Sequence, residues 1–464
     1  MSPAVPLLLS WIAAAGLALV DGRKRAVCWL AVAALAASFV LLCVLAGQAF
    51  SGGPRQTVAG GWPPGVGIVL RADALGALFA LLSLGVLLAA LVHELLTGAQ
   101  GRLFPALVLF LATGLTGLFL TGDVFNFYVF FELTMLASYV LAAYGGGGRE
   151  LRAGFVFAVV NLLGSFLFLL GVAAIYHVTG TLEMTAVAER IGGVEPSAVV
   201  LIAVFFFVAF AVKLGLFPFH FWLPAVYTSA RPGVAAMLSG AVANVGSYGL
   251  LRFGAGILPA QLRLGATVLL VLGAASILYG ALQAVSRRSV SEVLAYSAIG
   301  QAGYVLVALG IGGTVGFTAA VVYSVANSLN KTLLFLTVDL RGWLVGAAFA
   351  VGAFSVAGVP PSAGFFGKLA LFQAGVEERS VALVALIFVG GALSFLYMFQ
   401  IYQHDFWRPG EGEKPPAERG RSSSAPLRAV ALAVAALVVG LGLWPEPLLA
   451  AGREAAEALE PVTR

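Results

Sequence analysis

Four ionisable side chains stand where an apolar chain carries charge only at a cost. Lys213 follows fifteen apolar residues, Ala198 to Val212, and the run AVKLGLFPFHFWLPA then meets Pro218 and Pro224. Lys331 lies in NKTLLFL, Lys368 in GVPPSAGFFGK, and Glu132 in DVFNFYVFFELTMLASYV. The chain has only five lysines, so three inside apolar runs need a reason. A lysine at the centre of a bilayer costs about 2.5–3.5 kcal/mol on insertion scales. Its pKa falls readily on desolvation, unlike that of arginine, which suits a group that must take up and release a proton. No arginine is predicted in such a position. Glu132 is the one carboxylate predicted deep in a helix. It lies nine residues beyond Asp123, about 13 Å of helical rise. One buried carboxylate and three buried ammonium groups read as a relay of ionisable side chains through a protein interior. A structural ion pair between Glu132 and Lys213 is the plainer reading, and it leaves Lys331 and Lys368 without a purpose.

The elements that position these residues must be membrane helices. Of 464 residues, 61% are hydrophobic and 10% charged, against roughly 25% charged in a soluble domain. No core at this length hides so much apolar surface, so the solvent is lipid. Breaking the chain at charged and Gly/Pro-rich punctuation gives fourteen stretches: 3–20, 27–50, 73–92, 103–121, 123–144, 152–177, 198–222, 232–254, 263–285, 291–311, 314–338, 343–376, 381–404 and 426–450. The 57 glycines suit close helix packing. The basic cluster DGRKR follows the first stretch, whereas a cleavable signal has its charges first, so that stretch is expected to be a retained helix. Loops after the odd-numbered stretches hold fifteen Lys and Arg. The other loops and the termini hold eight: Arg55, Arg71, Arg190, Arg252, Arg263, Arg379, Arg453 and Arg464. The first set is expected to face the cytoplasm, with both termini on the far side of the inner (cytoplasmic) membrane.

Two stretches are interrupted. Pro218 follows Lys213 by five residues, and Pro360 and Pro361 precede Lys368. Proline breaks the helical ladder, and broken helices at membrane depth line protein or a wet cavity. Interruptions at matching places in two halves are the pattern of an inverted-repeat transporter. The fold class is therefore an all-α polytopic membrane protein of about fourteen transmembrane helices. Two inverted five-helix repeats (helices 4–8 and 9–13) carry the broken helices 7 and 12. The expected divisions are 1–102 for helices 1–3, 103–254 and 255–405 for the repeats, 406–425 for a cytoplasmic linker, and 426–464 for helix 14 and the tail. Lys213 is expected beside freed backbone groups and water at its break.

Long runs of the chain resemble a known family. TGDVFNFYVFFELTMLASYVL, KLGLFPFHFWLPAVYTSARPGVAAMLSGAVANVGSYGLLR, LAYSAIGQAGYVL, NKTLLFL and GVPPSAGFFGK are similar to the antiporter-like subunits of respiratory complex I and of Mrp cation/proton antiporters, over about residues 73 to 405. TGDVFNFYVFFE is most similar to the D-type member of the Mrp set. The resemblance implies that Glu132 is the family glutamate on helix 5 and Lys213 its partner on helix 7. It implies that Lys331 and Lys368 are the lysines of helix 11 and broken helix 12, and that the four form a hydrated mid-membrane row. It makes His220, near the cytoplasmic end of helix 7, a candidate for taking in protons; an interfacial histidine among aromatics is the alternative. The chain departs from the pattern at Asn244, where helix 8 usually has lysine, at Asn327 for histidine and at Gln400 for arginine. The loop DLRG is also short. Asparagine orders water but holds no excess proton, so water is expected to bridge Lys213 and Lys331 past Asn244.

Other features read as bland. His177 and His404 lie near helix ends, Phe205 to Phe207 read as packing or lipid contact, Gly145 to Gly148 as a turn, and 411–426 as a mobile linker. Cys28 and Cys43 give no metal or disulfide pattern, and no nucleotide site, cofactor site or nucleic-acid surface is expected. Three functions remain open. One is an ion-translocating member of a multisubunit Na+/H+ antiporter, with sister membrane subunits, lipid, protons and sodium as partners. Another is the proton-pumping member of a complex I-related redox complex or membrane-bound hydrogenase. The third is a structural member that has lost conduction.

Overall fold

The computed structural model describes residues 1–62, 67–98, 101–407 and 425–459. Ten helices among them are long and apolar enough to cross a membrane. In chain order, α1 is Ala4–Ala18, α2 Arg25–Gly52, α3 Ala74–Thr97, α4 Phe104–Phe119, α5 Val124–Ala142 and α6 Gly148–Thr179. A short α7 (Met184–Arg190) leads to α8 (Pro196–Leu214), α9 (Trp222–Ser229), α10 (Pro232–Ile257) and a short α11 (Pro259–Leu264). Then follow α12 (Ala266–Val285), α13 (Val290–Ile311), α14 (Gly313–Leu336), α15 (Trp343–Ala357), α16 (Ala363–Glu377), α17 (Val381–Tyr402), α18 (Ala425–Leu443) and α19 (Glu446–Glu457). The apolar helices α1, α4 and α15 are shorter than the ten.

Local chemistry sets many of these ends. Asp73 and Asp123 accept the N–H of Gly76 (2.9 Å) and Asn126 (2.7 Å), satisfying orphan donors at the starts of α3 and α5. Burial separates centre from rim. The apolar span of α10 is 94% buried and that of α13 83%, against 28% for α2, α17 and α18. Charges on α10, α13 or the helices packed on them therefore sit in protein, while the rim helices offer apolar faces to lipid or to other chains.

Five expectations are corrected. A hairpin, β1 (Arg55–Val58) against β2 (Val69–Ala72), lies between the second and third stretches of a chain expected to be all-α; its paired residues include Thr57, Val58 and Val69, which suit a strand. The seventh stretch is interrupted as expected, but ahead of its proline: it stops at Leu214, where Gly215 takes φ +69°, and helix resumes at Trp222. The fourteenth ends at Leu443, because Pro445 starts the separate amphipathic α19. The helix α3 runs beyond residue 92 to Thr97 and so buries His93 and Glu94; Glu132 is not the only carboxylate inside a helix. Finally, α10 continues to Ile257 and encloses Arg252, contrary to the expectation that no arginine is buried. Its Nη2 lies 2.6 Å from Asp73 Oδ1 and its Nε donates to Tyr248 Oη at 3.1 Å. The fully enclosed Asp73 balances the charge, which is what makes this arginine tolerable.

The expected turn at Gly145 to Gly148 is present, with Gly146 at φ +71°. The expected linker at 411–426 lies, up to residue 424, outside the described residues.

Candidate functional site

Lys213 is the next-to-last residue of α8, two before Gly215 at the break, and is 2% exposed. Its Nζ has no hydrogen-bond partner and lies 4.2 Å from the centroid of the Phe131 ring. The next residue on α5 is Glu132, half-buried, whose Oε1 is also unpartnered. The carboxylate is near enough to act on the ammonium electrostatically, but the two make no ion-pair contact. A desolvated cation–π contact is worth about 2 kcal/mol, less than the several kcal/mol an unpaired buried ammonium costs. The arrangement is not a locked structural pair. On α6, Asn161 Oδ1 and Ser165 Oγ are likewise buried and unpartnered.

The break itself does not serve Lys213, contrary to the sequence expectation. The carbonyl freed at Val212 accepts from Gly215 N–H (3.2 Å) and Trp222 Nε1 (3.0 Å), and Phe217 N–H donates to Ser276 Oγ at 3.0 Å. These groups at the start of the break are thus partnered by protein rather than by Lys213. His220 lies in this break, 8% exposed, with its ring 4.4 Å from Tyr279 and 5.6 Å from Phe217. Its Nδ1 has no partner. It has aromatic neighbours, as the interfacial alternative requires, and an unused nitrogen, as proton uptake requires.

The second break behaves as expected for the first. Gly358 closes α15 at φ +84°, and Lys368 on α16 reaches back to donate to Ala357 O at 3.2 Å. A Cβ on Gly358 would run into the lysine stem, so the glycine supplies both the left-handed turn and the room. The Lys368 ammonium lies 5.0 Å from the Tyr304 ring. It borders a cavity of about 430 Å³ walled by Phe365, Phe372, Phe388 and Phe395.

Between the two breaks lies Lys331, on the buried α14. Its Nζ donates to Ser297 Oγ at 2.8 Å and to Leu294 O at 3.3 Å on α13. Ser297 Oγ shares a hydrogen bond with Tyr397 Oη at 3.0 Å. Gln301 Nε2 donates to Tyr397 Oη at 3.3 Å, and Tyr397 Oη donates to Ser394 Oγ at 3.1 Å. Tyr323 donates to Gln301 Oε1. This network runs from Lys331 through α13 and α17 to Tyr323, whose ring lies 5.1 Å from that of Tyr304, beside Lys368. Ser297, Gln301, Tyr323, Ser394 and Tyr397 were not singled out from sequence. The signal was present: Ser297 and Gln301 are four apart and Ser394 and Tyr397 three apart, so each pair shares a helix face.

Asn244, on α10, contacts α14 one turn before Lys331. Its Nδ2 donates to Gly240 O at 2.8 Å and approaches Ser328 Oγ at 3.4 Å. Ser328 also donates to Gly240 O. A π-helical turn spans Leu238–Val242, so this shared carbonyl lies where the α-helical ladder is displaced. Ser328 precedes Lys331 by three residues, one turn of α14. Asn244 therefore joins α10 to the helix that carries Lys331, without a charge of its own. Asn327 Oδ1 is unpartnered, and Gln400 is exposed and outside the network. No group of three or more His, Cys, Asp or Glu stands ready for a metal among the described residues.

The family described as "NADH:quinone oxidoreductase/Mrp antiporter, TM" matches residues 121–342. The D component of the Na(+)/H(+) antiporter of Alkalihalophilus pseudofirmus is 33% identical, over 87% of this chain and 86% of that protein. The chain belongs to this antiporter-like family. The D component of the Bacillus subtilis Na(+)/H(+) antiporter is 30% identical over 92% of this chain and 90% of its own. Among solved structures, a chain of the Dietzia sp. Mrp complex superposes with a TM-score of 0.89 at 28% identity, over 99% of this chain and 97% of that one. A chain of the archaeal membrane-bound sulfane sulfur reductase does so at 0.89 and 26% identity, over 98% and 97%. The matched segment holds Glu132, Lys213, His220, Asn244 and Lys331, while Lys368 lies beyond it. This antiporter-family protein is a multi-span membrane protein of Mrp type.

Proposed function

We propose that the chain is an ion-translocating member of a multisubunit Na+/H+ antiporter and moves protons through Glu132, Lys213, Lys331 and Lys368. The observation that carries this reading is the buried Lys331, tied by Ser297 to a side-chain network that ends beside Lys368. A proton accepted near Glu132 changes the field at Lys213, and each ammonium that loses its proton alters the next. Asn244 and Ser328 position water between the Lys213 and Lys331 halves, and His220 takes part in proton uptake. The helices cross the membrane fourteen times with both termini on the non-cytoplasmic side of the inner membrane. The two inverted repeats occupy 103–254 and 255–405, with 1–102, 406–425 and 426–464 as flanking segments. The sodium specificity rests on the names of the D-component relatives.

A second reading has its own support: the equal superposition on a chain of the sulfane sulfur reductase favours a role as the pump module of a redox complex. The two share the relay and differ in driving force. Glu132→Ala and Lys213→Ala, measured in vesicles holding the assembled complex, test the relay in either case. Loss of proton movement with assembly intact supports it; normal movement in both variants sinks it. Iron–sulfur or nickel proteins co-purifying with the chain would decide for the redox complex.

A further inference from the structure

A second buried titratable group lies away from the charged row. His93, near the end of α3, is 2% exposed, and neither ring nitrogen has a hydrogen-bond partner; the backbone of Leu336 on α14 lies beside the ring without hydrogen-bond geometry. A buried imidazole always has at least one nitrogen to satisfy, and leaving it so costs about 1–3 kcal/mol. A leucine or phenylalanine fills such a space without that cost, so the orphan nitrogens call for an explanation.

The position supplies one. Three helices, α3, α10 and α14, meet where a Cβ on Gly240 would collide with Thr332 and lie 3.0 Å from Val86 Cγ1. This is the level of Asn244 and Ser328. Seven residues beyond Val86 on α3 is His93, on the same face and two turns, roughly 10 Å, nearer the helix end. Seven residues before Gly240 on α10 is Gly233, whose N–H donates to Glu94 Oε1 at 3.0 Å. Four residues after Thr332 on α14 is Leu336. The seam between the three helices therefore runs from the Asn244–Ser328 centre to His93. It ends on the face that the charge count assigns to the cytoplasm. Charged and titratable groups at this end are Glu94 on α3 itself, Arg231 (3.7 Å from Glu94) at the start of α10, Asp339 and Arg341 just beyond α14, Asp405 with its partners Arg341 and His404 beyond α17, and Arg428 at the base of α18. Leu96 packs with Leu340 and Leu427, which brings these elements together.

We propose that His93 is a proton-binding residue on the cytoplasmic intake route to Lys331, along the seam of α3, α10 and α14. A ring nitrogen takes a proton from water, forming an N–H bond as a water O–H bond breaks. It then releases that proton to water on the inner side, which passes it toward Ser328 and the Lys331 amine. Glu94, the next residue on α3, is itself held by the Gly233 N–H and lies 3.7 Å from Arg231. The inference rests on the relay reading.

The test uses the assembled complex in everted vesicles, whose bath sets the pH at the cytoplasmic face. His93→Gln is expected to slow proton movement about tenfold at about pH 8 and far less at about pH 6, because an intake step without its collector depends on bulk proton supply. Transport equal to wild type at every pH, or a loss equal at every pH, overturns the inference. Glu132→Gln is run alongside. If it too transports normally, the relay has failed; if it alone is dead, only the intake site has failed. Should His93→Gln not assemble, deuterium exchange at the imidazole C2 position in the wild-type complex decides. Exchange within days that titrates with bath pH supports the site, and a ring sealed from exchange overturns it.

Discussion

The ammonium of Lys331 and the phenol of Tyr397 meet on one hydroxyl, that of Ser297, at 2.8 and 3.0 Å. Removing that hydroxyl leaves a buried ammonium with Leu294 O alone and detaches it from the network toward Lys368. Ser297→Ala is expected to slow proton movement about tenfold, equivalent to ~1.4 kcal/mol, with assembly retained. Tyr397→Phe should do the same. The double variant should be little worse than either single, because both cut one chain. Additive losses in vesicle assays would show two independent roles.

Asn244 gives a sharper expectation than the sequence alone allowed. Its amide is already committed to Gly240 O and lies close to Ser328, between tightly packed helices. Asn244→Lys is therefore expected to give no gain in transport, since a longer charged stem must displace that packing. A strong gain would mean that the native chain has lost a functional lysine, and the water bridge past Asn244 would be wrong.

The contact between α10 and α14 depends on Gly240 having no side chain. Gly240→Ala is expected to destabilise the fold by about 1–3 kcal/mol through overpacking against Thr332 and Val86. Thr332→Ala in the same chain should restore part of that, as coupled neighbours do. Unfolding in detergent measures both, and an unchanged single variant would contradict the close approach.

At the opposite end of α10, Asp73 holds Arg252 and Arg71. Burial alone would raise the Asp73 pKa, but the two guanidinium groups and the Gly76 N–H hold it below the ordinary carboxylate value. A depressed folded-state pKa means the stabilisation is full above the unfolded value near 4 and is lost as pH falls through the folded value. Arg252→Met leaves Asp73 without its nearer partner and is expected to cost about 3–5 kcal/mol near neutral pH, less in strong acid. Equal cost across the acid range would show that packing, not charge, is at stake.

The residues legible in the sequence were those whose burial is expensive. A lysine inside an apolar run announces itself, and so Lys213, Lys331 and Lys368 stood out from residue type and spacing. Ser297, Gln301 and Tyr397 did not, because a hydroxyl or amide in a membrane helix is common and its partner lies on another helix. His93, Glu94 and Arg252 were misjudged for a different reason. Apolar patterning stops where charge begins, whereas α3 continues about a turn further because Gly233 N–H donates to Glu94; Arg252, already within the predicted stretch 232–254, is buried because Asp73, distant in sequence, pairs with it. Prolines placed the two interruptions, yet which lysine uses the freed carbonyl was not legible. Trp222 closes the first break and leaves only the second to Lys368.

The most direct test is sodium-driven proton movement in everted vesicles containing the complex with Lys331→Met, its assembly checked by co-purification. Methionine fills the lysine volume but carries no proton. Proton movement should fall to background while sister subunits still co-purify. Wild-type proton movement from a fully assembled Lys331→Met complex would show that protons do not pass along this row.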